Sequence, residues 1–244
     1  MIALFTDFGW QGPYVGLLKA VLHRAIAGVT IIDLLHDAPR FNPKASAYLH
    51  NALRQQFEIG TIFIGVVDPR VGDNTRRPVI VSADDRWYIG PDNGLFEIIT
   101  STANNVDYWE ITWRPEKLSS SFHGRDLFAP VAAKIAQGIA IDLFAKPLAA
   151  LSAQDYLKEL AEIIYIDHYG NCMTGLPGES INLDSKLIIA QQVFTYACTF
   201  AEAPLGQGFW YINSTGLVEL AINSGNFQQQ LGCIIGQAIT VSSA

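Results

Sequence analysis

Charge is scarce in this sequence. Only 16% of its 244 residues are Asp, Glu, Lys or Arg, and 16 basic residues face 23 acidic ones, for a net charge of −7. No Lys/Arg stripe is present to neutralise phosphates, which argues against nucleic acid as a partner. Cysteine is almost missing. Cys172, Cys198 and Cys233 are odd in number and far apart, which excludes a disulfide framework and reads as free thiols in a reducing cytoplasm. Cys and His nowhere fall at metal-ligand spacing, so no metal site is expected. No apolar run is long enough to span a bilayer. The longest candidate, LFAPVAAKIAQGIAIDLFA, is broken by Lys134, Gln137 and Asp142. The opening MIALFTDFGW has no basic n-region and is interrupted by Asp7, so it reads as a first strand and not as a secretion signal. No G-x-G-x-x-G follows that strand, and P-loop and nucleophile elbow are missing too. Asp7-Phe8-Gly9 matches a kinase metal-binding tripeptide, but no kinase loops surround it.

What is present is apolar. Hydrophobic residues make up 50% of the chain, enough for a large core and for a buried subunit interface. The first half alternates strand and helix patterns. IALFTD, VTIIDLL and TIFIGVVD are apolar runs. GPYVGLLKAVLHRAIAG carries Val15, Leu18, Leu22 and Ile26 at helical spacing, between Pro13 and Gly28. A second helix opens at Asn42-Pro43, the turn PDNG starts the next, and GRDLFAPVAAKIAQG is another, ending at Gly138. This alternation predicts an α/β unit with a mostly parallel sheet covered on both faces. After LAALSAQDYLKEL the pattern changes to short strands punctuated by Gly, Asn, Ser and Pro, the rhythm of a small β-barrel or sandwich. The boundary is expected near residues 150–160, giving domains 1–155 and 156–244.

In open parallel sheets ligands bind beyond the C-terminal strand ends. Asp7 follows IALFT, Asp68 follows TIFIGVV, and SFHGRD precedes a helix. Each group has an ordinary reading. Asp7 could cap a turn, Asp68 before Pro69 could form one, His123 could be structural, and Arg125 and Asp126 could pair locally. Their common position at strand ends makes them, as a set, equally a candidate site.

Five blocks carry a resemblance over essentially the whole chain. TDFGWQGPYVG, VDPRVGDNTRR, IGPDNGLF, SSSFHGRDLFAPVAA and IDHYGN resemble, in order and spacing, the S-adenosylmethionine hydroxide adenosyltransferase family, kin to the fluorinase and chlorinase. The resemblance implies a larger N-terminal Rossmann-like α/β domain and a smaller C-terminal β-barrel. It implies hydrolysis of S-adenosylmethionine to adenosine and methionine, with no cofactor beyond the substrate. It further implies a homotrimer holding substrate between the N-terminal domain of one chain and the C-terminal domain of its neighbour. The catalytic trio carries over as Asp68, Arg76 and His123. Asp7 matches the acid that holds the ribose hydroxyls, Phe41 an aromatic beside the ribose, and Gly124 a small residue near the reacting centre. Asp167 matches an acid for the methionine ammonium and Ser214 a contact to its carboxylate. Tyr169 and Phe200 match aromatics flanking adenine, Asn171 the reader of its edge, and Ser224 a source of backbone contacts to it.

Some residues depart from the pattern. Arg70 stands where the family usually has glycine, the IDHYGN loop is one residue shorter than in the halogenases, and Thr215 and Met173 replace an Arg and a Trp of the fluorinase. An adenosyl-halide synthase and a non-catalytic binder of adenosine or S-adenosylmethionine therefore stand as alternatives.

Overall fold

The apolar run Ile2–Thr6 forms β1, buried along its whole length. The computed structural model that places it describes residues 1–73 and 75–242. The chain divides into one unit of residues 1–50 and 57–156 and another of residues 51–56 and 157–244. In the first, β1 is followed by α1 (Tyr14–Ala25), β2 (Ile31–Leu35), α2 (Pro43–Arg54, its last turn counted with the other unit), β3 (Ile62–Val66), β4 (Pro78–Ala83), β5 (Arg86–Pro91), α3 (Glu97–Thr102), β6 (Val106–Ile111), α4 (Ala129–Ala136) and β7 (Ala145–Leu148). The α1 stripe predicted from the sequence buries Leu18 and Leu22 in the core formed by Leu4, Ile64 and Val131.

The sheet order is β2-β1-β3-β5-β4-β6-β7. β2, β1, β3 and β5 run parallel, but β4, β6 and β7 pair antiparallel. The expected mostly parallel sheet is therefore corrected to a mixed one. The cause is local. Asp84 and Asp85, both at positive φ (47° and 59°), join β4 to β5 in a two-residue turn, and such a turn allows only antiparallel pairing.

The stretch before α4 is a single π turn, Gly124–Phe128. Pro130 lacks the N–H that would bond the Asp126 carbonyl, so the ladder widens here and Ala129 donates to Gly124 O.

The second unit contains β8 (Leu160–Ile166), β9 (Cys172–Pro177), β10 (Lys186–Ile189), β11 (Gln192–Phe194), β12 (Gly208–Ile212), β13 (Leu217–Ile222), α5 (Phe227–Leu231) and β14 (Thr240–Ser242). They form antiparallel sheets β12-β13-β9-β8 and β11-β10-β14 around Leu187, Trp210, Leu220 and Phe227. Single bridges, Glu162–Ala238 and Tyr196–Trp210, join the sheets at both seams. Helix α5 was not anticipated, although its signals are ordinary. Asn226 caps it through Oδ1 to Gln229 N at 2.7 Å, and Gly232 ends it at φ 67°. The strand expected over AITVSSA extends past Ser242 into residues outside the described ones. Among the described residues no helix is long and apolar enough to cross a membrane.

Candidate active site

β1 and β3 are parallel neighbours in register, Thr6 opposite Val66. Asp7 and Asp68 therefore emerge at the same end of the sheet. The Asp68 carboxyl, 7% exposed, accepts a hydrogen bond from Arg76 Nη1, whose side chain is 18% exposed. The intervening loop is ordered by Asp73, which accepts from Thr75 N and Oγ1 at 2.9 and 2.7 Å. Gly72 lets this loop pack on the serine segment. It sits at φ +90°, and a Cβ there would lie 2.6 Å from the Ser120 carbonyl. Arg70 lies outside the positive-φ residues, and its side chain, 68% exposed, pairs with Asp73. The arginine therefore neither strains the loop nor enters the site.

His123 is half-buried at the head of the π turn. Burial holds its pKa below the ordinary value, with Arg114 adding, against the opposing pull of Asp68 and Asp126. Arg125 and Asp126 do make the local pair anticipated, at 2.6 and 2.8 Å, and Asp126 also accepts from Ser119 N. Asp68, Arg76 and His123 line one polar cavity of about 130 Å³. Asp68 and His123 also line a second, largely apolar cavity of about 60 Å³, which includes Gly124.

Asp7 Oδ2 accepts from the amide of Phe41, which stands at φ 56° with an exposed ring. Burial raises the Asp7 carboxyl above the usual range, opposed by that amide and reinforced by Asp68. Beneath this turn lies a chain that sequence reasoning missed. Thr6 Oγ1 meets His36 Nδ1 at 2.8 Å, His36 Nε2 meets Asp33 at 3.0 Å, and Lys19 donates to Asp33 at 2.9 Å. Gly9 N donates to the His36 carbonyl, so the chain anchors the loop that carries Asp7. The spacing of Asp33 and His36 at the end of β2 was the available signal.

In the second unit a cavity of about 530 Å³ gathers Asp167, Tyr169, Asn171, Phe200 and Ser224, within the size range of small-ligand sites. Ser214 does not line it and is exposed on the β12–β13 turn. Asp167 organises its loop by accepting from Tyr169 N, Asn171 N and Asn171 Nδ2 at 2.9, 2.8 and 3.1 Å. Gly170 is required there, since a Cβ would lie 2.2 Å from Asn226. Phe200 packs edge-on against Tyr211 at 5.3 Å, leaving aromatic walls suited to a planar ring. Tyr211 was also missed. It lines the cavity and donates to the buried Glu219 at 2.8 Å, which also accepts from Asn213 at 2.6 Å. A lone acid in the apolar run GLVELAI was the signal for Glu219. Burial raises its carboxyl above the usual range. Among the described residues no group of three His, Cys, Asp or Glu is placed to hold a metal ion.

Comparison with known proteins adds the family. Residues 2–145 match the SAM hydroxide adenosyltransferase N-terminal domain and residues 161–240 its C-terminal domain. A protein of Thermus thermophilus named (R)-S-adenosyl-L-methionine hydrolase is 31% identical, with 98% of each chain covered. One of the same name from Salinispora arenicola is 30% identical over 99% of this chain and 97% of its own. The crystal structure of an uncharacterized conserved protein from Thermotoga maritima superposes with a TM-score of 0.90 at 27% identity, covering both chains fully.

Proposed function

The chain belongs to the SAM hydroxide adenosyltransferase family, and from that premise we propose that it hydrolyses S-adenosyl-L-methionine to adenosine and L-methionine. The observation that carries this reading is the nearly buried Asp68 paired with Arg76 in a cavity shared with His123. The sulfonium leaves as a neutral thioether, so the leaving group needs no acid. The difficulty is the nucleophile, because bulk water ionises only far above neutral pH. Asp68 aligns a water with the C5′–S bond and is a proton acceptor for it. Arg76 stays protonated, holds Asp68 and stabilises developing hydroxide. His123, kept neutral by burial, is the second acceptor. A halide ion needs no such set, which favours water over the adenosyl-halide alternative.

Asp7 suits the ribose diol, with Phe41 beside the ribose and Gly124 near C5′. Asp167 would meet the methionine ammonium and Ser214 its carboxylate. Tyr169 and Phe200 would flank adenine, with Ser224 contributing backbone groups. Asn171 donates its amide N–H to Asp167, which leaves its carbonyl for the adenine amino group. We read residues 1–155 as a Rossmann-like domain and 156–244 as a β-barrel, the latter supported by bridges at both seams. The two sets of ligand residues open on separate units, which supports a homotrimer with each substrate held between neighbouring chains. The substrate carries its own activated leaving group, so no cofactor is required. The free thiols Cys172, Cys198 and Cys233 suit a cytoplasmic enzyme.

Incubation of S-adenosyl-L-methionine in ¹⁸O-water with excess chloride tests the reaction. Adenosine labelled at its 5′ oxygen is expected, and 5′-chloro-adenosine or no turnover would defeat the proposal. The pH profile tests His123. Its lowered pKa means that the neutral acceptor persists below the ordinary value of about 6.5. Turnover should therefore fall on the acid side only below that value, and His123→Gln should remove this limb. A limb centred above it would contradict the role.

A further inference from the structure

Hydrolysis of S-adenosyl-L-methionine consumes one water and releases one proton per turnover. A cationic sulfonium and water become adenosine, zwitterionic methionine and H⁺. The C5′–O bond forms, the C5′–S bond breaks with its electron pair on sulfur, and one proton must leave the site before the next turnover. Asp68, His123 and Phe128 form a wall common to two cavities. On one side the smaller cavity is lined by Phe8, Val66, Val71 and Phe122 around Gly124, with Ser121 its one hydroxyl. It offers few groups that could pass a proton. On the other side the larger cavity adds Asp73, Arg76 and Arg114, with the partly exposed Leu118. At about 30 Å³ per water the first has room for about two molecules and the second for about four.

We propose that the polar cavity is a water chamber behind the catalytic wall, the route by which the nucleophile enters and the proton leaves. The reacting carbon occupies the apolar side, beside Gly124. The proton taken from the attacking water onto Asp68 or His123 passes to waters in the chamber and then to bulk. The N–H groups of the arginines hold the chamber's waters. Leu118 and Arg114 are among its lining residues outside the catalytic trio, and a larger side chain at either would reduce its volume. This inference rests on the hydrolase reading, and its test separates the two.

Leu118→Trp is made in the full-length protein to fill the chamber, with Arg114→Trp as a second plug should the first fail to fold. Each should lower kcat for adenosine release about tenfold or more, the scale of an impaired proton transfer, with KM and adenosine affinity by calorimetry within about twofold. Leu118→Ala, which enlarges the chamber, should keep the wild-type kcat. A plugged variant that turns over like wild type overturns the chamber. So does one that loses kcat and adenosine affinity together, which would reflect general damage. A wild type that releases no adenosine at all would instead remove the hydrolase reading.

Discussion

Asp68→Asn is expected to stop adenosine release while leaving substrate binding nearly intact. Asparagine keeps the shape and can still accept from Arg76, but it cannot take a proton at neutral pH. General-base catalysis by one positioned group is worth about 10²–10⁴-fold, and Asp68 also aligns the water, so a kcat loss of about 10³-fold follows. Little binding energy should be lost, because the role proposed for Asp68 is toward the nucleophile and not the bulk of the substrate. Asp167→Ala should be inactive for the opposite reason, through loss of the ammonium contact proposed for it. The pair then tests the trimer. If each site joins the first unit of one chain to the second of its neighbour, co-refolded variants form sites in which both contributing halves are intact. With random assembly in equal amounts, about one site in four combines the Asp167→Ala chain's first unit with the Asp68→Asn chain's second. About a quarter of wild-type activity should return on mixing. No recovery would place each site within one chain, and a fully active Asp68→Asn would end the catalytic assignment.

Asp68 was legible as a strand-end acid, because TIFIGVV reads as a buried strand and the acid after it stands at the end of the sheet. Arg76 and His123 were joined to it as a trio by the family resemblance, not by the strand pattern. Sheet direction was not legible in the same way. PVIVSA and RWYIG look like two more strands whichever way they run, and only the Asp84-Asp85 turn decides. The turn was visible as a dipeptide, but its positive φ values were not, since aspartate also suits turns of the other hand. Arg70 shows a limit of family patterns. A glycine usual at a position suggested a backbone need, yet arginine stands there at ordinary φ with its charge turned to Asp73. The conformational requirement lies two residues on, at Gly72. Phe41 and Asp7 meet through an amide and a carboxyl, 34 positions apart, and no side-chain pattern encodes such a contact.

Arg77 is half of a largely buried pair with Asp92, and its replacement should cost the most stability. Its Nε and Nη2 donate to Asp92 Oδ2 at 3.0 and 2.6 Å, and the Asp92 side chain is 1% exposed against 33% for Arg77. Ser152 N and Oγ complete the carboxylate's shell at 2.9 and 2.8 Å. Arg77→Met keeps much of the stem but leaves Asp92 as a buried anion with only the serine donors. Breaking a buried pair from one side costs about 3–5 kcal/mol, and the partial exposure of Arg77 lowers this to about 2–4 kcal/mol. For a chain of this size that corresponds to a fall in Tm of about 4–8 °C. Asp92→Asn in the same chain removes the stranded charge while keeping an acceptor for Ser152, so the double variant should be more stable than Arg77→Met alone. Thermal unfolding followed by calorimetry decides between this and the ordinary surface pair, which is worth at most about 1 kcal/mol. An unchanged Tm for Arg77→Met, or a double variant that loses the sum of the single losses, would show that Asp92 does not depend on its arginine.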